Sequence, residues 1–452
     1  MVDTLVAPEA RIRAGRLDAT LLADNFADAH PALSPAKARV EAERCYFCYD
    51  APCIEACPTG IDIPSFIAKI VDGNLRGSAE TILSANIFGG ACARVCPTEI
   101  LCEQACVRTT QENKPVTIGA LQRHATDALM QHGIHPFARS PETGRHVAVV
   151  GAGPAGISCA HRLAMLGHRV TVYEAKPKGG GLNEYGVAAY KLAGDFAQDE
   201  LDFILRIGGI TILHDRRLGR DTDLETLRRT HDAVFLGIGQ TAVRALTLSD
   251  TQLTGVLDAV DFIAGLRQAA DKRAVPVGAR VVVIGGGNTA IDAAMQAKRL
   301  GAKDVTIAYR RGLEHMSATG FEQDWARTSG IRIRTWCTPK RLHGSLGMVT
   351  GIEFEDTGSG PDIEPADMVL KAVGQLFDAA SLGAGSASIP DIAGGRIMVD
   401  ADGRTSLPMV YAGGDCTPGP DLTVSAVQDG KLAALAIHAA LMPASAIVVG
   451  SF

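Results

Sequence analysis

Residues 146–156 read HVAVVGAGPAG. The unbroken apolar run Val147–Val150 has the texture of a strand buried on both faces of a parallel sheet. The glycine turn then opens a helix to about Leu166, and a second strand, RVTVY at 169–173, ends on Glu174. Strand, G-x-G-x-x-G, helix, strand and an acid about 20 residues on together make a βαβ dinucleotide unit. Gly151, Gly153 and Gly156 let backbone approach a pyrophosphate. Pro154 and Ala155 begin the helix whose N-terminal amides stabilise its charge. Glu174 can accept hydrogen bonds from a ribose.

The pattern recurs at 280–290, RVVVIGGGNTA, with a helix to about Leu300 and a strand at 304–309. Ala290 stands for the third glycine, an accepted variant. Gly285, Gly287, Asn288 and Thr289 line this turn. No acid follows; Arg310 and Arg311 stand where the ribose would lie. Two dinucleotide units in one chain suggest a flavin plus a nicotinamide. Shorter echoes at 234–239 and 369–374 read as strands closing each lobe, and YAGGD at 411–415 as a strand running into an acidic turn. A last helix opens at Thr423.

Ahead of these units lie eight of the eleven cysteines. Cys45, Cys48, Cys53 and Cys57 read C-x2-C-x4-C-x3-C-P. Cys92, Cys96, Cys102 and Cys106 read C-x3-C-P-x4-C-x3-C. A run closing on Cys-Pro marks two-cluster iron–sulfur proteins, where that cysteine ligates the other cluster. Eight thiols match two 4Fe–4S clusters. Zinc ribbons need two C-x2-C pairs and only one is present; disulfides need an oxidising compartment. Helical patterns such as Ile63–Ile70, with Pro64 in the first turn, lie between the cysteine loops. Such a domain has little apolar core, so metal should carry part of its stability.

At 452 residues the chain exceeds a single core. We expect an α/β protein: a helical iron–sulfur domain over 1–135, a FAD-binding domain over 145–255 and 376–452, and an NAD(P)H-binding domain over 256–375. Net charge is −6, against a nucleic-acid or anionic-membrane surface. No apolar run of about 20 residues occurs, and the first residues lack an apolar signal core. The expected location is the cytoplasm.

These motifs resemble the glutathione-reductase-like flavoproteins with two Rossmann-like domains. The resemblance implies that Asp415, after Gly414, contacts the flavin's ribityl–diphosphate region. Gly181, Leu182, Lys191, Gly239 and Thr423 join the FAD set. That group's redox C-x4-C is absent; Cys159, Cys337 and Cys416 lie far apart and read as small buried residues. The loop at 180–188, GGLNEYGVA, has Ala188 where relatives often carry proline.

With its cysteine domain, the chain resembles the electron-input module shared by the glutamate synthase small subunit and dihydropyrimidine dehydrogenase. The segment GALQRHATD at 119–127 favours the pyrimidine enzymes, which carry a glutamine ligand there. That implies Cys45, Cys48, Cys53 and Cys106 on one cluster and Cys57, Cys96, Cys102 and Gln122 on the other. Spacing alone leaves Cys92 open as the fourth ligand. The resemblance implies electrons passing from NADH through FAD and two 4Fe–4S clusters to a PreA-type FMN and iron–sulfur barrel subunit in a heterotetramer, which reduces uracil or thymine. Alternatives are the glutamate synthase small subunit, another NAD(P)H:acceptor oxidoreductase, and a non-catalytic scaffold; no catalytic residue is assigned. Read alone, the two arginines favour NADPH. Glu314 and the lack of a third guanidinium weigh with the resemblance for NADH.

Overall fold

The computed structural model describes residues 11–246, 248, 252–355, 362–383 and 389–443. These form two units. The larger spans Ala32–Asn183, Phe196–Thr241 and the chain from Phe377; the smaller takes the N-terminal arm to Pro31, Glu184–Asp195 and Ala242–Leu376. Residues 1–10 and 444–452 of the expected domain spans lie outside the described residues.

In the larger unit a five-stranded parallel sheet runs Val410–Ala412, Ala233–Leu236, His146–Val150, Arg169–Tyr173, Ile210–Leu213. The fingerprint strand is central, and Val147–Val150 is almost wholly buried, which is why it reads as a continuous apolar run. Helices Pro154–Met165 and Thr423–Leu441 pack together beside it. On one side of the sheet, Ala148, Val150, Val234, Leu236 and Val410 join Leu224, Leu382 and Ile397 in one core.

The same unit holds the helical cysteine domain. Ile63–Val71 buries Ile63, Phe66, Ile67 and Ile70, one stripe at helical spacing. Asp62 caps it by accepting from the Ser65 amide at 3.1 Å. Leu75–Ala85, Gly89–Val95 and Ile118–His132 complete the bundle.

The smaller unit repeats the parallel plan: Val256–Asp258, Met368–Lys371, Arg280–Ile284, Asp304–Ala308, Arg332–Arg334. An antiparallel sheet, Pro339–Ser345, Met348–Phe354 and Asp362–Pro365, adds to it. The arm departs from the expected grouping with the cysteines. Leu22 and Phe26 are buried with Ile263, Leu266 and Met295 of this unit, and Arg13 pairs with Val277. Ile12, Leu17 and Ala29 of the arm pack partly buried against the same core.

Candidate functional site

The first glycine turn has no room for a side chain at Gly151 or Gly156. A Cβ on Gly156 would lie 1.9 Å from the Gly151 carbonyl oxygen, so helix and turn meet backbone to backbone. The helix starts at Pro154 with no side-chain cap, leaving its first amides for an anionic ligand. Gly181, at φ +56, brings its loop onto this turn: a Cβ there would meet the Gly153 Cα at 2.7 Å. Glu174 is buried. Its Oε2 accepts from the Ala152 amide at 2.7 Å and its Oε1 from Lys176 at 2.8 Å, which braces the turn and leaves lone pairs for a ribose.

Across the turn, Gly414 donates its amide to Asp429 Oδ2 at 2.9 Å. Burial, reinforced by Asp421 and opposed by Arg396, pushes Asp415 up to about 6. Arg396 holds Asp421 at 2.7 Å and donates to the Asp415 carbonyl. Thr423 donates its hydroxyl to Asn183 Oδ1 at 3.3 Å, while Asn183 Nδ2 is buried without a partner. An orphaned donor beside Leu182 and Thr423 fits a polar ring edge, as a flavin would supply. The sequence reading missed Asn183; its only mark was a place inside the glycine loop. Gly239 follows the Ala233–Leu236 strand at φ +63.

Lys191 is the remaining residue of the expected flavin set. It lies in the smaller unit, buried between Asp292 at 2.8 Å and Glu322 at 2.6 Å. Both acids hold its ammonium against the cost of burial. In that unit the second turn leads into Asn288–Arg299, again without a side-chain cap, with Asn288 and Thr289 in its first turn. Arg310 and Arg311 are exposed after the strand Asp304–Ala308. Arg311 is held on the Tyr309 phenol oxygen at 2.8 Å, and that hydroxyl donates to the His315 carbonyl.

The cysteines fall into two groups. Cys45, Cys48, Cys53 and Cys106 line one cavity walled by Ile63, Ile67, Val116 and Ile118. Burial, then the facing Cys45, Cys106 and Cys48, pushes the Cys53 thiol up to about 12. The second group is Cys57, Cys92, Cys96 and Cys102. Cys96 is pushed well up by its thiol contact with Cys92 and by burial; Cys102 rises through burial, Glu103 and Cys57. Thiols that resist ionisation when crowded are the donors a cationic cluster core offsets. Among the described residues no three His, Cys, Asp or Glu side chains converge as around a single ion. Gln122 is buried on Ile118–His132 and donates Nε2 to the Gly89 carbonyl at 2.7 Å, which anchors the amide and leaves Oε1 to accept.

Residues 145–430 match the pyridine nucleotide-disulphide oxidoreductase family, and residues 22–134 match dihydropyrimidine dehydrogenase domain II, 4Fe-4S cluster. Over 414 residues the chain is 36% identical to the NAD-dependent dihydropyrimidine dehydrogenase subunit PreT of Escherichia coli O157:H7, spanning 90% of this chain and 95% of that one. The chain belongs to the PreT-type flavoproteins. Membership brings FAD and NAD(P)H binding to residues 145–430 and a 4Fe–4S cluster to residues 22–134. The PreT-type chain is also 32% identical over 440 residues to the glutamate synthase [NADPH] small chain of Escherichia coli K12, at 90% and 92% coverage. Its fold is shared with T. acidophilum thioredoxin reductase, at 23% identity and a TM-score of 0.52, over 66% of this chain and 99% of that one.

Within this PreT-type fold Cys159, Cys337 and Cys416 are buried, free and in separate surroundings. Burial pushes all three thiols up, Cys416 to about 11. No helix among the described residues is long and apolar enough to cross a membrane.

Proposed function

We propose that this chain is the electron-input subunit of a dihydropyrimidine dehydrogenase. It takes electrons from NADH and passes them through FAD and two 4Fe–4S clusters to a PreA-type FMN subunit, which reduces uracil or thymine to the 5,6-dihydropyrimidine. One observation carries this reading: a braced flavin turn and two separate thiol groups lie in a single chain that matches a PreT subunit over 90% of its length. When bound, the flavin supplies the step from hydride to single electrons, because a nicotinamide gives two together and a cluster takes one.

The chain's own residues bind and orient. Gly151, Gly153 and Gly156 receive the FAD pyrophosphate, Glu174 a ribose, and Gly181, Leu182, Asn183, Gly239, Gly414, Asp415 and Thr423 the rest. Gly285, Gly287, Asn288 and Thr289 receive the nicotinamide nucleotide. One cluster is held by Cys45, Cys48, Cys53 and Cys106, the other by Cys57, Cys96, Cys102 and Gln122. Cys92 is the runner-up to Gln122, because its thiol touches Cys96. NADH is favoured because Arg311 is committed to Tyr309, leaving Arg310 alone to meet a 2′-phosphate. We place the complex, a heterotetramer, in the cytoplasm.

The test is affinity capture of the chain from its own cells, followed by assay. Capture of an FMN barrel subunit with uracil-dependent NADH oxidation supports the proposal. Capture of a large glutamate synthase subunit, with glutamine- and 2-oxoglutarate-dependent oxidation, overturns it.

A further inference from the structure

Lys431 lies on the long helix Thr423–Leu441, eight residues past Thr423, yet it reaches into the cysteine domain. Its Nζ donates to the Thr59 carbonyl at 3.1 Å and the Ala85 carbonyl at 2.8 Å. Thr59 belongs to the turn Cys57-Pro58-Thr59-Gly60, closed by the Gly60 amide on the Cys57 carbonyl at 2.8 Å. The Thr59 hydroxyl is 3.3 Å from Cys57 Sγ. The ammonium is therefore fixed on the backbone of the turn that carries a cluster ligand. Ala85 ends the helix Leu75–Ala85, and Arg162, from the fingerprint helix, donates to the neighbouring Ser84 carbonyl at 2.7 Å. Two cations thus meet the negative end of one helix.

We propose that Lys431 is a positioning residue that raises the reduction potential of the cluster held through Cys57. Reduction adds one negative charge to a cluster. A fixed cation in a water-poor site favours that added charge, and such charges are among the protein's means of tuning a cluster. Burial and Arg162 work against the Lys431 charge, and Cys57 works for it, so the two groups lie within electrostatic reach. Beside the other thiol group, Arg108 donates to the Arg44 carbonyl and acts on Cys45, but its charge is offset by Glu112 and its guanidinium is stacked on Tyr46. The inference rests on the two-cluster reading above, which the iron content of the wild-type chain tests by itself.

The experiment is an EPR-monitored redox titration of the anaerobically purified full chain as wild type, Lys431→Met and Lys431→Arg. In Lys431→Met one cluster should become about tenfold harder to reduce, a fall of about 59 mV for a one-electron couple. The other cluster and the flavin content should not change, and Lys431→Arg should keep the wild-type potential. Should Lys431→Met lose iron, Lys431→Gln, which carries amide donors without the charge, replaces it. Loss of the cluster from both neutral variants, with retention in Lys431→Arg, also supports the role of charge. Unchanged potentials in the neutral variant overturn the proposal. So do equal falls in both clusters, or a fall or loss in Lys431→Arg matching that in Lys431→Met.

Discussion

Glu200 ties the flavin lobe to the cysteine domain, and its charge should make that tie pH-dependent. It sits on the helix Phe196–Leu205 at 1% exposure, and its Oε1 accepts the Ala91 amide at 2.9 Å, in the first turn of Gly89–Val95. That helix bears Cys92 and leads into Cys96. Oε2 is buried with no partner. Burial raises the carboxyl from 4.5 to about 7, against the pull of the Ala91 and Gly90 amides and Arg94. A carboxyl so raised favours its protonated form in the fold by about 3 kcal/mol, at about 1.36 kcal/mol per tenfold change in proton affinity. The fold prefers the protonated acid. The contribution is fully present below about 4.5, the unfolded value, and is lost as pH rises through about 7. Glu200→Gln keeps an oxygen for Ala91 and carries no charge at any pH. Thermal unfolding of both proteins from pH 5 to 8 should show the wild type losing several degrees relative to the variant. Parallel pH profiles would refute the reasoning.

Gly156→Ala should abolish FAD retention, because its methyl must displace the Gly151 carbonyl from 1.9 Å; overpacking of this kind costs about 1–3 kcal/mol or more. A wild-type flavin-to-protein absorbance ratio in that variant would count against the turn. Gln122→Ala should alter the EPR spectrum of one cluster and leave FAD content unchanged; a wild-type spectrum there, with a cluster lost in Cys92→Ala, reverses the ligand assignment. With a dye acceptor, kcat/KM should be higher for NADH than for NADPH, and a tenfold preference for NADPH would overturn the reading of Arg310 and Arg311.

Much of this architecture is legible from local chemistry. The strands His146–Val150 and Arg280–Ile284 lie where their apolar runs place them, because a central parallel strand shows the same apolar texture to both faces, while Arg169–Tyr173 alternates and is placed by the turn and helix before it. Turns that need glycine are equally plain, since no other residue fits. What sequence does not show is which long polar side chain crosses between elements. Lys431, Glu200 and Asn183 look like ordinary polar residues; their roles come from a carbonyl, an amide and a hydroxyl more than a hundred positions away. Lys191 follows the flavin loop in sequence yet pairs with Asp292 and Glu322. The arm's place with the smaller unit depends on Leu22 and Phe26, with Ile12, Leu17 and Ala29 beside them, apolar residues too scattered to show a period.

The central claim is that one chain carries both the flavin and two clusters. Iron, zinc and flavin analysis of the anaerobically purified chain tests it most directly. The account predicts one FAD and about eight iron atoms per chain, from two four-iron clusters. About four iron atoms, or one tightly bound zinc, would contradict it.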